Sequence, residues 1–136
     1  MELFRSIGCE VYIGPEPKIP ALKVEARETV FERRKALIVP IDTGFAGYLL
    51  APQDIYIELG TLELPREEFG VYTTLAGPIV LRRAEIKLSI KDEEIDTYIE
   101  TPIFGAGKLL LGRRILSELN IALIGKKSLC CYLKPA

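Results

Sequence analysis

An all-β barrel or sandwich carrying one or two short helices is the fold the sequence predicts. Three observations lead there. Apolar residues alternate with a period of two along most of the chain, turn-forming clusters recur at short intervals, and only two segments have helical spacing. In chain order, Ile7, Cys9, Val11 and Ile13 share one strand face. The piece Gly14-Pro15-Glu16-Pro17-Lys18-Ile19-Pro20 reads as a turn, and Leu22, Val24 and Ala26 form the next strand face. Ala36-Leu37-Ile38-Val39-Pro40-Ile41 is apolar on both faces, as expected of a strand in the middle of the core. Pro52 to Leu59 is a short helix, with Pro at its first position and Gly60 after its end. Ala84, Ile86, Leu88 and Ile90, a charged turn at Lys91-Asp92-Glu93-Glu94, and then Ile95, Thr97 and Ile99 make a hairpin. Residues 113 to 119 place Ile115, Leu116 and Leu119 on one helical face, with Asn120 ending the turn. Leu129, Cys131 and Leu133 form a last strand. With no linker and no internal repeat, residues 1–136 are expected to form a single domain.

The composition, 49% apolar and 27% charged, is that of a soluble globule. Lys and Arg number 18 against 19 Asp and Glu, and the net charge of −1 argues against a nucleic-acid-seeking surface. No apolar stretch approaches the ~20 residues that span a bilayer. Met1-Glu2-Leu3-Phe4-Arg5 lacks the pattern of an export signal, so a cytoplasmic location away from membranes is expected. Arg33-Arg34, Arg82-Arg83 and Lys126-Lys127 read as solvated turns or edges.

No histidine is present, which removes Ser-His-Asp and Cys-His nucleophile systems and His-bound zinc. The three cysteines, Cys9, Cys130 and Cys131, cannot build a four-thiolate metal site and read as small buried hydrophobes in a reducing compartment. No metal and no cofactor is expected. A single Gln, a single Asn and abundant ions of both signs give the chain a thermophile's bias.

Leu37-Ile38-Val39-Pro40-Ile41-Asp42-Thr43-Gly44-Phe45-Ala46-Gly47 is the most informative stretch. A carboxylate directly after an apolar strand needs hydrogen-bond donors, a partner or a proton. Gly44 lets the backbone come close to supply the donors. Position alone suits a capping carboxylate at least as well as a catalytic one. About 70 residues downstream, Leu109-Leu110-Leu111-Gly112-Arg113-Arg114-Ile115 is an apolar strand, a glycine and the start of an amphipathic helix.

Taken together, Asp42-Thr43-Gly44 and Leu110-Leu111-Gly112 resemble the retropepsin-like aspartic proteases, single-domain relatives of pepsin, over roughly residues 20 to 125. The continuation Gly47-Tyr48-Leu49-Leu50-Ala51-Pro52 is similar to the cellular archaeal and bacterial branch of that family. The resemblance implies a closed β-barrel of the acid-protease type and a homodimer acting on peptide or protein substrates. Each chain supplies one aspartate, so two copies of Asp42 must meet across a two-fold axis. At about 3 Å and an effective dielectric of about 20, two carboxylates repel by roughly 5.5 kcal/mol, so one proton is shared between them. The charged member would take a proton from water while the protonated one bonds the scissile carbonyl.

The resemblance makes Asp42 the catalytic acid/base, with Thr43, Gly44 and Phe45 in the active-site loop. Thr43 would hold the two loops in register and Gly44 would offer its carbonyl to substrate. Leu111, Gly112 and Arg113 would form the motif that opens the helix. Leu75, Ala76 and Gly77 would tip a substrate-covering flap formed by residues 71 to 80. Where viral relatives have a small residue and then an acid that pairs with the Arg of Gly-Arg, this chain has Phe45 and Ala46. Phe45 would fill part of the cleft, and Arg113 would lose its usual partner. The alternative reading is therefore a catalytically weak or inactive dimeric peptide-binding module of the same fold. Gly105-Ala106-Gly107-Lys108 lacks the first Gly and the final Ser or Thr of a phosphate loop and reads as a plain connection.

Overall fold

The computed structural model describes residues 5–16, 18–126 and 128–133. Met1 to Phe4 and Lys127 of the last basic pair lie outside them. The strands are β1 (Arg5–Val11), β2 (Ala21–Arg27), β3 (Arg34–Pro40), β4 (Leu49–Leu50), β5 (Gly70–Thr74), β6 (Gly77–Ile90), β7 (Glu93–Pro102), β8 (Leu110–Leu111), β9 (Asn120–Ile124) and β10 (Ser128–Leu133). The helices are α1 (Gln53–Leu59) and α2 (Arg113–Leu116). A seven-stranded sheet runs in the order β3-β2-β6-β7-β4-β8, with β5 paired to β6, and a second sheet has the order β1-β10-β9.

The larger sheet is open where a closed barrel was expected. Among the described residues its end strands β3 and β8 are joined by one parallel bridge, Ile41 to Leu111, and β8 is two residues long. That bridge lies next to Asp42 in the chain.

Alternation predicted the core faces of β2, β6 and β7, but not that of β1, where Cys9 is exposed and Val11 is 75% exposed. Leu22, Val24 and Ala26 on β2, and Ala84, Ile86, Leu88 and Ile90 on β6, are buried, joined by Ile99, Leu49 and Leu111. The β6–β7 hairpin turns on Lys91 and Asp92 alone, both at positive φ (49° and 70°), the mirror-image turn that matches strand twist. Lys91 is held by a 2.6 Å ion pair with Glu10, which links the hairpin to β1.

Four expectations need correction. β3 is not central: it ends the sheet, so Leu37 and Val39 are buried while Ile38 is 48% exposed. Pro52 stands just before α1 and is not its first helical position, while Gly60 follows the end of the helix as expected. A side chain at Gly60 would meet the Tyr56 carbonyl. Helix α2 stops at Leu116, and Asn120 opens β9, where its backbone pairs with Tyr132. Cys9 is exposed and disulfide-bonded, not a buried thiol, and its cross-strand neighbour in the β1–β10 register is Cys130.

Candidate active site

Asp42 leaves the sheet on a tightly bonded loop. Its backbone N–H donates to the Leu111 carbonyl at 2.9 Å, extending the bridge that joins the sheet's two ends. Its side-chain Oδ1 accepts the Gly44 N–H at 2.8 Å, and its carbonyl accepts the Phe45 N–H at 3.2 Å. The carboxylate is partly exposed, so one oxygen is held while the group stays open to solvent.

The same loop caps α2. A helix begins with backbone N–H groups that have no partner inside it, and here no side chain caps them. The N–H groups of Gly112, Arg113 and Arg114 donate instead to the carbonyls of Tyr48, Phe45 and Gly47, at 2.8, 2.9 and 3.1 Å. The approach is so close that a side-chain carbon at residue 112 would run into the Gly47 backbone and the Phe45 ring. Glycine is required there by space.

Phe45 lies over these glycines and against Tyr72 of β5, with ring centroids 5.4 Å apart. Among the described residues the Arg113 side chain makes no ion pair, whereas Arg114 donates to the Tyr48 hydroxyl at 3.2 Å. Thr43 is exposed.

Strands β5 and β6 form a hairpin whose last pair is Thr74 with Gly77, leaving Leu75 and Ala76 at the tip. Gly77 has φ +106°, a conformation glycine adopts without strain. The Thr74 hydroxyl donates to the Gly77 carbonyl at 2.6 Å and accepts the Ala76 N–H. Val71, Leu75, Ile79 and Val80 are exposed.

Behind Phe45 lies a group that alternation did not disclose. Glu100 of β7 is 0% exposed. Its Oε1 accepts the Tyr48 N–H at 2.8 Å. Its Oε2 accepts the Tyr72 hydroxyl at 2.7 Å and the Arg83 guanidinium at 3.1 and 3.2 Å. Arg83 also lies over the rings of Tyr48 and Tyr98. Burial, and then the bond to Glu100, push the Tyr72 hydroxyl well above its ordinary range. Burial works against the charge on Arg83, but the adjacent carboxylate outweighs it and the guanidinium stays protonated. The reading of Arg83 as solvated is thus corrected, since it is sunk beside Glu100, whereas Arg82 stays partly exposed to solvent and pairs with Glu63 at 2.6 Å over the Tyr56 ring. A glutamate on a strand's polar face carries no sequence signal of burial, because its partners come from distant segments.

A separate surface concavity, lined by Thr29, Leu62, Glu85, Lys87, Asp96 and Tyr98, contains no residue of the Asp42 loop.

The bridged loop, the glycine-opened α2 and the β5–β6 hairpin meet around the Asp42-Thr43-Gly44 motif through the Leu111 and Gly112 bonds and the Phe45–Tyr72 contact. No family model and no curated protein matches the sequence. Solved structures do match. EIAV protease complexed with the inhibitor HBY-793 aligns with a TM-score of 0.54 at 20% identity, over 78% of this chain and 92% of that one. A retropepsin-like aspartic protease from Rickettsia conorii aligns with a TM-score of 0.54 at 14% identity, over 98% and 97%. The chain has a retropepsin-like fold. No helix among the described residues is long and apolar enough to cross a membrane.

Proposed function

We propose that the chain is a homodimeric aspartic peptidase in which two copies of Asp42, one per subunit, activate a water for peptide-bond hydrolysis. The observation that carries the reading is Asp42 itself: a partly exposed carboxylate, oriented by the Gly44 N–H and anchored through Leu111, in a fold shared with aspartic proteases. Within the proposal, Thr43 stabilises the paired loops, Gly44 and Phe45 border the substrate, and Leu75, Ala76 and Gly77 close over it. The whole of residues 1–136 forms one such domain. No histidine, metal or covalent intermediate is needed, since the pair itself exchanges the proton.

The test is Asp42→Asn assayed on a peptide library. Asparagine keeps the oxygen that accepts the Gly44 N–H but cannot act as a base. The expected result is a loss of cleavage of at least about 10²–10⁴-fold with the melting temperature preserved. Unchanged cleavage would remove Asp42 from the mechanism.

The contact of Phe45 with Tyr72 favours a second reading, a module of the same fold that binds peptides with little hydrolysis. Tight binding of a statine-type transition-state mimic separates the two, because a proton-sharing pair recognises its hydroxyl. The proposed location is the cytoplasm of a thermophile. Disulfides such as that of Cys9 occur in intracellular proteins of hyperthermophiles, and the amide-poor, ion-rich composition agrees.

A further inference from the structure

Four segments converge on Glu100. The loop after Asp42 supplies Gly47 and the Tyr48 N–H, β5 supplies Gly70 and Tyr72, β6 supplies Arg83, and β7 carries the carboxylate itself. Each carboxylate oxygen has its own glycine beside it. A side-chain carbon on Gly47 would fall 2.5 Å from Oε1, and one on Gly70 would fall 2.6 Å from Oε2. One oxygen therefore serves the Asp42 loop and the other serves the base of the hairpin. Two glycines leave the room for both.

We propose that Glu100 is a positioning residue for peptide hydrolysis. Its carboxylate ties the base of the β5–β6 hairpin to the loop bearing Asp42 and so sets the gap in which substrate is held. The inference rests on the peptidase reading above.

Only an anion suits the position. Four donors point at it: the Tyr48 N–H, the Tyr72 hydroxyl and two guanidinium N–H groups. A glutamine has one acceptor oxygen, and its NH₂ would face donors on the other side. Asp42 is held by different bonds, to Leu111 and Gly44. Loss of Glu100 should thus disturb what surrounds the substrate more than the reacting carboxylate.

The experiment compares Glu100→Gln, Tyr72→Phe and the double variant in the full chain, each counted by titration with a statine-type mimic. Per active site, Glu100→Gln should raise KM about tenfold and Tyr72→Phe about threefold, with kcat changed less than about twofold. The double variant should be no worse than Glu100→Gln, because both changes break the same tie. Amide hydrogen exchange, which needs no substrate, should quicken at Tyr48 and across Gly70–Thr74 while the Asp42 amide keeps its protection. Unaltered KM with only a lower melting temperature would overturn the proposal, as would additive effects or a uniform rise in exchange. If Glu100→Gln fails to fold, Tyr72→Phe decides the matter through exchange, since it keeps the ring against Phe45. A parent chain that cleaves no peptide would refute the peptidase reading, and the exchange pattern would still decide whether the tie exists.

Discussion

The carbonyl of Leu111 accepts the backbone N–H of Asp42 at 2.9 Å, so the residue before the Gly-Arg turn of α2 fixes the start of the aspartate loop. Two motifs about 70 residues apart in sequence are thereby one object. The bond lies in the gap where the sheet's two end strands approach, and Gly112 immediately follows it.

From this geometry, Gly112→Ala should destabilise the fold by about 1–3 kcal/mol, the cost of overpacking against groups that cannot yield. The obstruction is the Gly47 backbone, so no rotamer change relieves it. Gly77→Ala at the hairpin tip meets open space and should cost about 1–2 kcal/mol through its positive φ alone. Urea unfolding measures both. In peptide cleavage, Gly112→Ala should also lower kcat.

Acid stability should depend on Glu28. Burial opposes ionisation of this carboxylate, but the N–H groups of Arg33, Val30 and Phe31 and the Thr61 hydroxyl hold it below its usual 4.5. A group whose folded value is depressed contributes stability that is fully present above its unfolded value and lost as pH falls through the folded one. Melting temperatures taken downward from pH 6 should therefore fall below about pH 4.5. Glu28→Gln should be less stable at neutral pH and show a shallower acid decline. A parallel decline in the two proteins would contradict this role.

Phe45 should act as a size filter. Its ring occupies the space over Gly47 and Gly112 and touches Tyr72. Phe45→Ala should improve cleavage of peptides with bulky side chains beside the scissile bond by about tenfold relative to those with alanine there. Mass-spectrometric profiling of a library checks the ratio. No change in preference would place Phe45 outside the substrate path.

What could be read from the sequence was set by local chemistry. Asp42-Thr43-Gly44 and Leu111-Gly112 stand out because a glycine beside an apolar strand marks close backbone approach, and the β6–β7 hairpin stands out because its inward residues alternate. The fate of Ile38 was not legible. An apolar run states only that both faces tolerate burial, and the position of β3 at the sheet's end leaves one face uncovered. Glu100 was hidden for a related reason: its burial depends on Tyr48, Tyr72 and Arg83, which neither strand period nor spacing brings together. Cys9 was misread because its bonding, too, is a matter of tertiary pairing.

The most direct test of the central claim is the stoichiometry of a statine-type inhibitor measured by titration calorimetry on the purified protein. One reaction centre built from two chains predicts one inhibitor bound per two chains, with binding lost in Asp42→Asn. One inhibitor per chain, or equal binding by Asp42→Asn, would contradict a shared pair of aspartates.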